Sequence, residues 1–99
     1  MVKTIKMTPD EGLKYLDENL KIHDYAEISY NRIFAEGEIL NIDKSKNEFT
    51  DEPGFKVLVS LDAESINSTV EIDLLEFKED LVEFLYKPQN AEPILIEFY

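Results

Sequence analysis

The stretch that most constrains the fold is residues 73–87, DLLEFKEDLVEFLYK. At 100° per residue its large apolar side chains fall on one stripe, which predicts an amphipathic helix. The stripe consists of Leu74, Phe77, Leu81, Phe84 and Leu85, and it is widened by Leu75, Val82 and Tyr86. The opposite side of the predicted helix is acidic and consists of Asp73, Glu76, Glu79, Asp80 and Glu83. The pattern therefore predicts a rigid helix that presents a row of carboxylates.

The start of this helix has two candidates. Asp73 and Glu76 have the spacing of an N-cap and its capping-box partner, and Ser68 with Glu71 has the same spacing. Both starts remain open from the sequence. Pro88 ends the helix, because proline has no N–H to donate and clashes with the preceding turn.

The acidic row contains no balancing cation before Lys87. Glu76–Asp80 and Glu79–Glu83 are like-charge pairs at i,i+4, a spacing at which each pair costs a few tenths of a kcal/mol. Exposed helices usually interleave charges of both signs. The uninterrupted row therefore indicates a surface used for binding.

The rest of the chain reads as one helix and a set of strands. Thr8, Pro9 and Glu11 form a strong helix start with a capping box, and this first helix is predicted to run to about Lys21. Two residues, Asn31-Arg32, make either a tight turn or a bulge in one long strand. A turn region is predicted at residues 62–68. The predicted strands are residues 1–7, 25–30, 33–42, 55–61, 69–72 and 94–99.

These elements predict a single small α+β domain over residues 1–99, in the order β-α-β-β-β-(β)-α-β. The sheet is expected to be mixed or antiparallel, with about five to six strands, and two helices are expected to pack on one of its faces. The terminal strand, residues 94–99, is apolar on both faces, which is typical of a strand inside a sheet. The order of the strands is not determined by the sequence.

The charge restricts the partners. The chain has 22 acidic and 10 basic residues, a net charge of −12, and residues 62–99 carry 10 acids against 2 bases. Direct binding to nucleic acid or to an anionic membrane needs the opposite sign, so a basic protein is the expected partner. No apolar run approaches the ~20 residues of a membrane span, and the start resembles no secretory signal. A cytoplasmic location is expected.

No catalytic constellation is evident. The chain has no cysteine, its single histidine is His23, and no serine is flanked by glycine. The oxygen-rich loop at residues 43–54 fails the calcium-loop test, because Glu48 takes the sixth position and Gly54 the twelfth. We expect no metal, no cofactor and no enzymatic activity. Further candidate partner-binding residues in this loop are Glu48, Phe49, Asp51 and Glu52, although burial under the domain is the favoured interpretation for Phe49.

Three functions fit these features. The first is an inhibitor whose carboxylates take the place of phosphates on a nuclease or another nucleic-acid-binding protein, as in anti-CRISPR proteins and other phage or mobile-element inhibitors. The second is an immunity protein against a toxic nuclease, which would use the same acidic surface. The third is an assembly subunit, homo-oligomeric through its apolar strand or helix, whose acidic row is only solvated.

Overall fold

The part of the chain that the structure describes forms a seven-stranded sheet with one α-helix on one of its faces. The computed structural model describes residues 2–46, 48–61 and 68–99. The helix is α1, Pro9–Asn19. The strands are β1 (Lys3–Met7), β2 (Tyr25–Tyr30), β3 (Ile33–Asp43), β4 (Lys56–Leu61), β5 (Ser68–Asp73), β6 (Leu81–Lys87) and β7 (Ile94–Phe98).

The strand order is β1-β7-β6-β2-β3-β4-β5. β1 and β7 are parallel, and every other neighbouring pair is antiparallel. The terminal strand β7 lies between β1 and β6, as its apolar faces predict. The expected fold class is wrong in its proportions, because the described chain is mostly β and contains seven strands and one α-helix where five to six strands and two helices were expected. The turn predicted at residues 62–68 falls on residues 62–67, which lie outside the described part, and on Ser68, which begins β5.

The helix predicted at residues 73–87 is wrong. This stretch contains the end of β5, one irregular turn, a short 3₁₀ helix at Lys78–Asp80, and β6. At the predicted N-cap, Asp73 Oδ1 accepts hydrogen bonds from the backbone N–H groups of Leu75 (3.1 Å) and Glu76 (3.3 Å), but it caps only this one turn. The turn does not continue, since from Leu81 onward the backbone pairs with β2 on one side and from Glu83 onward with β7 on the other.

A β-bulge explains why a strand has helical spacing. Tyr30 pairs with Leu81 and Ser29 pairs with Glu83, so Val82 is an extra residue. Without the bulge, Leu81 and Phe84 would point to opposite faces, because a strand alternates with a period of two. With the bulge both are buried, at 6% and 0% exposure. The three-residue step between them therefore mimics a helix.

Residues 74–80, which we term the crossover, join edge strand β5 to β6 and pack beside α1 on the same face of the sheet. Leu74 is fully buried, and the ring of Phe77 lies 5.3 Å from that of Tyr30. Lys78 Nζ lies 2.9 Å from the carboxylate of Asp10 on α1. The core lies between this layer and the sheet and is formed by Leu13, Leu16, Leu20, Ala26, Ile28, Tyr30, Ala35, Ile39, Phe55, Val57, Val59, Ile72, Leu74, Leu81, Phe84, Tyr86 and Ile96.

The predicted start of α1 is confirmed. Thr8 Oγ1 accepts from the Glu11 N–H at 3.2 Å, and Glu11 Oε1 accepts from the Thr8 N–H at 3.1 Å. These hydrogen bonds lower the pKa of Glu11, the bond to the Thr8 backbone more than that to its hydroxyl. The helix ends at Asn19, two residues before the predicted end.

Asp24 ties the link between α1 and β2 to the far end of β6. Its side chain is buried and accepts hydrogen bonds from the N–H groups of Lys21 (3.0 Å) and Gln89 (3.3 Å) and from the Tyr86 hydroxyl (2.9 Å). Burial, followed by this hydrogen bond, raises the pKa of Tyr86 well above its usual value. The network fixes β6 in register beside β2.

Candidate interaction surface

The sheet face opposite α1 is the candidate functional site. Along each strand, alternate side chains fill the core, and the residues between them point to this second face. Among the described residues, α1 and the crossover pack on the core face, and no helix or strand packs on the second. A broad area of sheet is therefore open to a partner.

Glutamate dominates this open face. On β3, Glu36 and Glu38 alternate with buried residues. The strands β2, β5, β6 and β7 each contribute one glutamate next to a buried residue, and β6 and β7 also place the half-buried Leu85 and Leu95 on this face. We term this surface the glutamate face, and its described glutamates are Glu27, Glu36, Glu38, Glu71, Glu83 and Glu97. At its edge, Asp43 and Asp73 lie opposite Lys56 on the same face. Its described basic residues are Lys6, Lys56 and Lys87.

Two pairs of glutamates are direct cross-strand neighbours. Glu27 on β2 lies opposite Glu36 on β3, and Glu83 on β6 lies opposite Glu97 on β7. Directly opposed residues have Cβ atoms about 5 Å apart, and like charges at this distance are destabilising. At Glu83–Glu97 no ion pair of the described residues offsets this repulsion, and a cation placed between the two carboxylates would remove it.

Some carboxylates of the glutamate face are already paired. Glu27 binds Lys87 Nζ at 3.0 Å, and the same ammonium lies 4.8 Å from the centre of the Tyr25 ring. Glu38 binds His23 Nδ1 at 2.8 Å. Within the described part of the chain, the remaining four form no ion pair, and they are Glu36, Glu71, Glu83 and Glu97.

The acidic residues predicted to form one helical row are separated in the structure. Asp73 ends β5, where its carboxylate also accepts from the Phe55 N–H at 3.3 Å. Glu76, Glu79 and Asp80 lie exposed on the crossover, on the core side of the sheet. Of the five, Glu83 belongs to the glutamate face, and Asp73 lies at its edge opposite Lys56. A single carboxylate row is therefore excluded, whereas contact of these residues with a partner stays a prediction.

The candidate binding residues of the loop at residues 43–54 lie near α1, on the side of the sheet that carries the helix. Glu48, Asp51 and Glu52 are exposed, and Phe49 is 95% exposed, so the expected burial of Phe49 is wrong. Two clefts of about 540 and 420 Å³ adjoin this loop, and both include Pro53 and Gly54 in their walls. No cluster of three or more metal-ligating side chains occurs among the described residues.

Most glutamates of the open face were missed from the sequence, although the signal was present. In YAEISY and FAEGEI, glutamate alternates with small or apolar residues that the strand period places in the core. The helical spacing of residues 73–87 instead predicts a different set of acids, of which Glu83 is shared with the glutamate face.

The comparisons with known proteins identify a family. A family profile described as "Uncharacterized protein conserved in archaea (DUF2097)" matches residues 3–97. The chain belongs to this family. Searches of curated proteins and of solved structures found no match to this chain. Within the described residues, no helix has the length and apolar character that crossing a membrane requires.

Proposed function

We propose that the protein is a non-catalytic binding protein whose glutamate face docks on the basic surface of a nucleic-acid-binding protein. The opposed pairs Glu27–Glu36 and Glu83–Glu97 carry the proposal, since they concentrate negative charge that lysine or arginine side chains would neutralise. Carboxylates on such a surface would occupy the positions that phosphates take, which would make the protein an inhibitor or regulator of its partner.

The size of the open face supports a protein partner. Seven strands about 4.8 Å apart and about six residues long give a surface of roughly 30 by 20 Å. This is roughly 600 Å², close to the ~800 Å² that each partner contributes to a standard interface. The net charge of −12 opposes stacking of two such faces, and it also opposes direct binding to nucleic acid or membrane. A partner that binds nucleic acid would place the protein in the cytoplasm.

The proposal does not include the phage or anti-CRISPR origin that was expected from the sequence. Nothing in the description of the archaeal family supports a phage origin or an anti-CRISPR role. The assembly-subunit alternative loses the two surfaces expected for it, because β7 is paired on both edges and residues 73–87 form no α-helix. An immunity role would use the same glutamate face and is tested by the same variants.

The test is a charge reversal with a matched control. Glu83→Lys/Glu97→Lys replaces one like-charge pair by another, so it reverses the sign of the charge at these two positions and keeps the repulsion between them. The control Glu18→Lys/Glu92→Lys makes the same change in net charge at exposed sites outside the glutamate face. Tagged wild type and both variants are incubated with nuclease-treated archaeal lysate, washed at low and high salt, and the bound proteins are identified by mass spectrometry.

We expect wild type and the control to retain the same basic nucleic-acid-binding protein at low salt and to release it as salt rises, because exposed charge pairs are screened. The Glu83→Lys/Glu97→Lys variant should not retain it. Equal retention by both variants would show that the glutamate face is not the binding surface.

A further inference from the structure

An apolar cluster lies at one end of the glutamate face. Phe34 is 59% exposed, Ile33 is 50% exposed and Val82 is 54% exposed. Phe34 pairs with Ser29 and so points to the glutamate face, and Val82 lies at the start of β6 next to Glu83. Ile33 pairs with the buried Tyr30 and so points to the core side. We term Phe34 and Val82 the turn cluster. Large apolar side chains exposed together beside a charged surface are typical of an interaction site.

The bulge in β6 helps to form the turn cluster. In register, Phe34 and Glu83 flank Ser29 on its two sides, and the extra residue Val82 immediately precedes Glu83. β3 and β6 are both neighbours of β2, so the backbones of Phe34 and Val82 lie about 10 Å apart across a small serine side chain. Bulges commonly re-aim side chains at functional sites, and this one leaves Val82 exposed next to the carboxylates.

We infer that the turn cluster is the apolar anchor of the interface, and that the partner is a basic protein with apolar side chains bordered by lysine or arginine. The inference rests on the proposed function. A polyamine or a metal ion would satisfy the carboxylates but would leave Phe34 and Val82 in water. A protein surface satisfies both, since buried aromatic anchors with a charged surround are typical of binding hot spots.

Charge and apolar contact respond differently to salt, which separates the two contributions. The attraction to the glutamates is screened as salt rises, whereas burial of Phe34 and Val82 is not weakened by chloride in the same way. Binding that uses the turn cluster therefore persists in part at salt concentrations that abolish binding through charge alone.

The test uses two synthetic peptides of equal length and charge, one with ten lysines and five leucines and the other with ten lysines and five serines. Affinities for the full chain are measured by calorimetry or fluorescence at low and at moderate salt. Phe34→Thr removes the aromatic ring while keeping a strand-forming residue. Ile22→Thr is the matched control, because Ile22 is 43% exposed and precedes β2 at the opposite end of the sheet. Circular dichroism checks that each variant folds.

We expect the wild type to bind the leucine peptide at least about tenfold more tightly than the serine peptide, as for loss of one interface anchor. Phe34→Thr should bring this ratio close to one, and Ile22→Thr should leave it unchanged. An unchanged ratio in Phe34→Thr, or a ratio near one in the wild type, overturns the inference. The serine peptide tests the proposed function independently of the turn cluster. If Glu83→Lys/Glu97→Lys binds it as tightly as the wild type does, the glutamate face is not the binding surface.

Discussion

Single residues in left-handed conformations set the turns of this protein. Asn31 (φ 40°) and Arg32 (φ 65°) both have positive φ and join β2 to β3 through a two-residue loop. This resolves the choice between turn and bulge that the sequence left open. Two positive φ values define the type I′ turn, which matches the twist of paired strands and normally has glycine at its second position. Arginine at that position holds a conformation that disfavours a Cβ atom.

Arg32→Gly is expected to stabilise the protein. A non-glycine residue in this conformation destabilises the fold by about 1–2 kcal/mol. Glycine removes this strain, but its greater entropy in the unfolded chain offsets about 0.5–1 kcal/mol of the gain. The free energy of unfolding in urea should therefore rise by about 0.5–1 kcal/mol. Arg32→Ala removes the same side chain but keeps Cβ, and it should give no such gain. Equal stabilisation by both substitutions would mean that loss of the arginine side chain, and not its backbone conformation, is responsible.

At the scale of elements, the bulge in β6 decides which face of the strand each residue takes. Leu81 points into the core opposite Tyr30, whereas Val82 is left outside the regular pairing. In the helix expected from the sequence, both residues would lie on the apolar stripe. Val82 would therefore be buried in the expected helix, whereas it is exposed in the observed strand. Truncating Leu81 and Val82 to alanine distinguishes the two arrangements.

Leu81→Ala should destabilise by about 2–5 kcal/mol, as for a buried leucine. Val82→Ala should change the free energy of unfolding by no more than about 0.5 kcal/mol, because the side chain is exposed. Both are measured by urea denaturation followed by circular dichroism. Comparable losses of several kcal/mol in the two variants would contradict the bulge and return both residues to one buried stripe.

For the whole molecule, the balance of charge is unfavourable to folding. A net charge of −12 on 99 residues produces self-repulsion, and the opposed glutamate pairs concentrate part of it on one face. The ion pairs of the described chain have at least one partner whose side chain is 40% or more exposed, and such pairs contribute about 0–1 kcal/mol each. Repulsion between many charges therefore outweighs these few attractions.

Salt should accordingly stabilise the protein. Between 0.01 and 0.15 M NaCl the screening length falls from about 30 to about 8 Å, and we expect the melting temperature to rise by several °C, on the order of 1 kcal/mol. Glu83→Gln/Glu97→Gln should show a smaller rise, since one repulsive pair is already removed. A melting temperature that stays constant or falls with added salt would show that the attractive pairs dominate. Scanning calorimetry at the two salt concentrations gives the measurement.

The sequence by itself determined the features that depend on local interactions. The capping box of Thr8 and Glu11 fixes the start of α1, because its donors and acceptors lie within one turn. Alternation in residues 25–30 and in residues 55–61 predicts the faces of β2 and β4, since each strand buries every second side chain. The apolar character of residues 94–99 likewise predicts that β7 lies inside the sheet.

Only the tertiary structure decided the fate of residues 73–87. Their local pattern fits a helix, but β2 and β7 offer β6 hydrogen-bonding partners on both edges, and a bulge at Val82 lets Leu81 and Phe84 both reach the core. The candidate site depends on the same contacts. Glu36 and Glu97 are far apart in the chain and come onto one face only when strand order and register are set. Because strand pairing is non-local, neither a local period nor the spacing of charges could have placed them together.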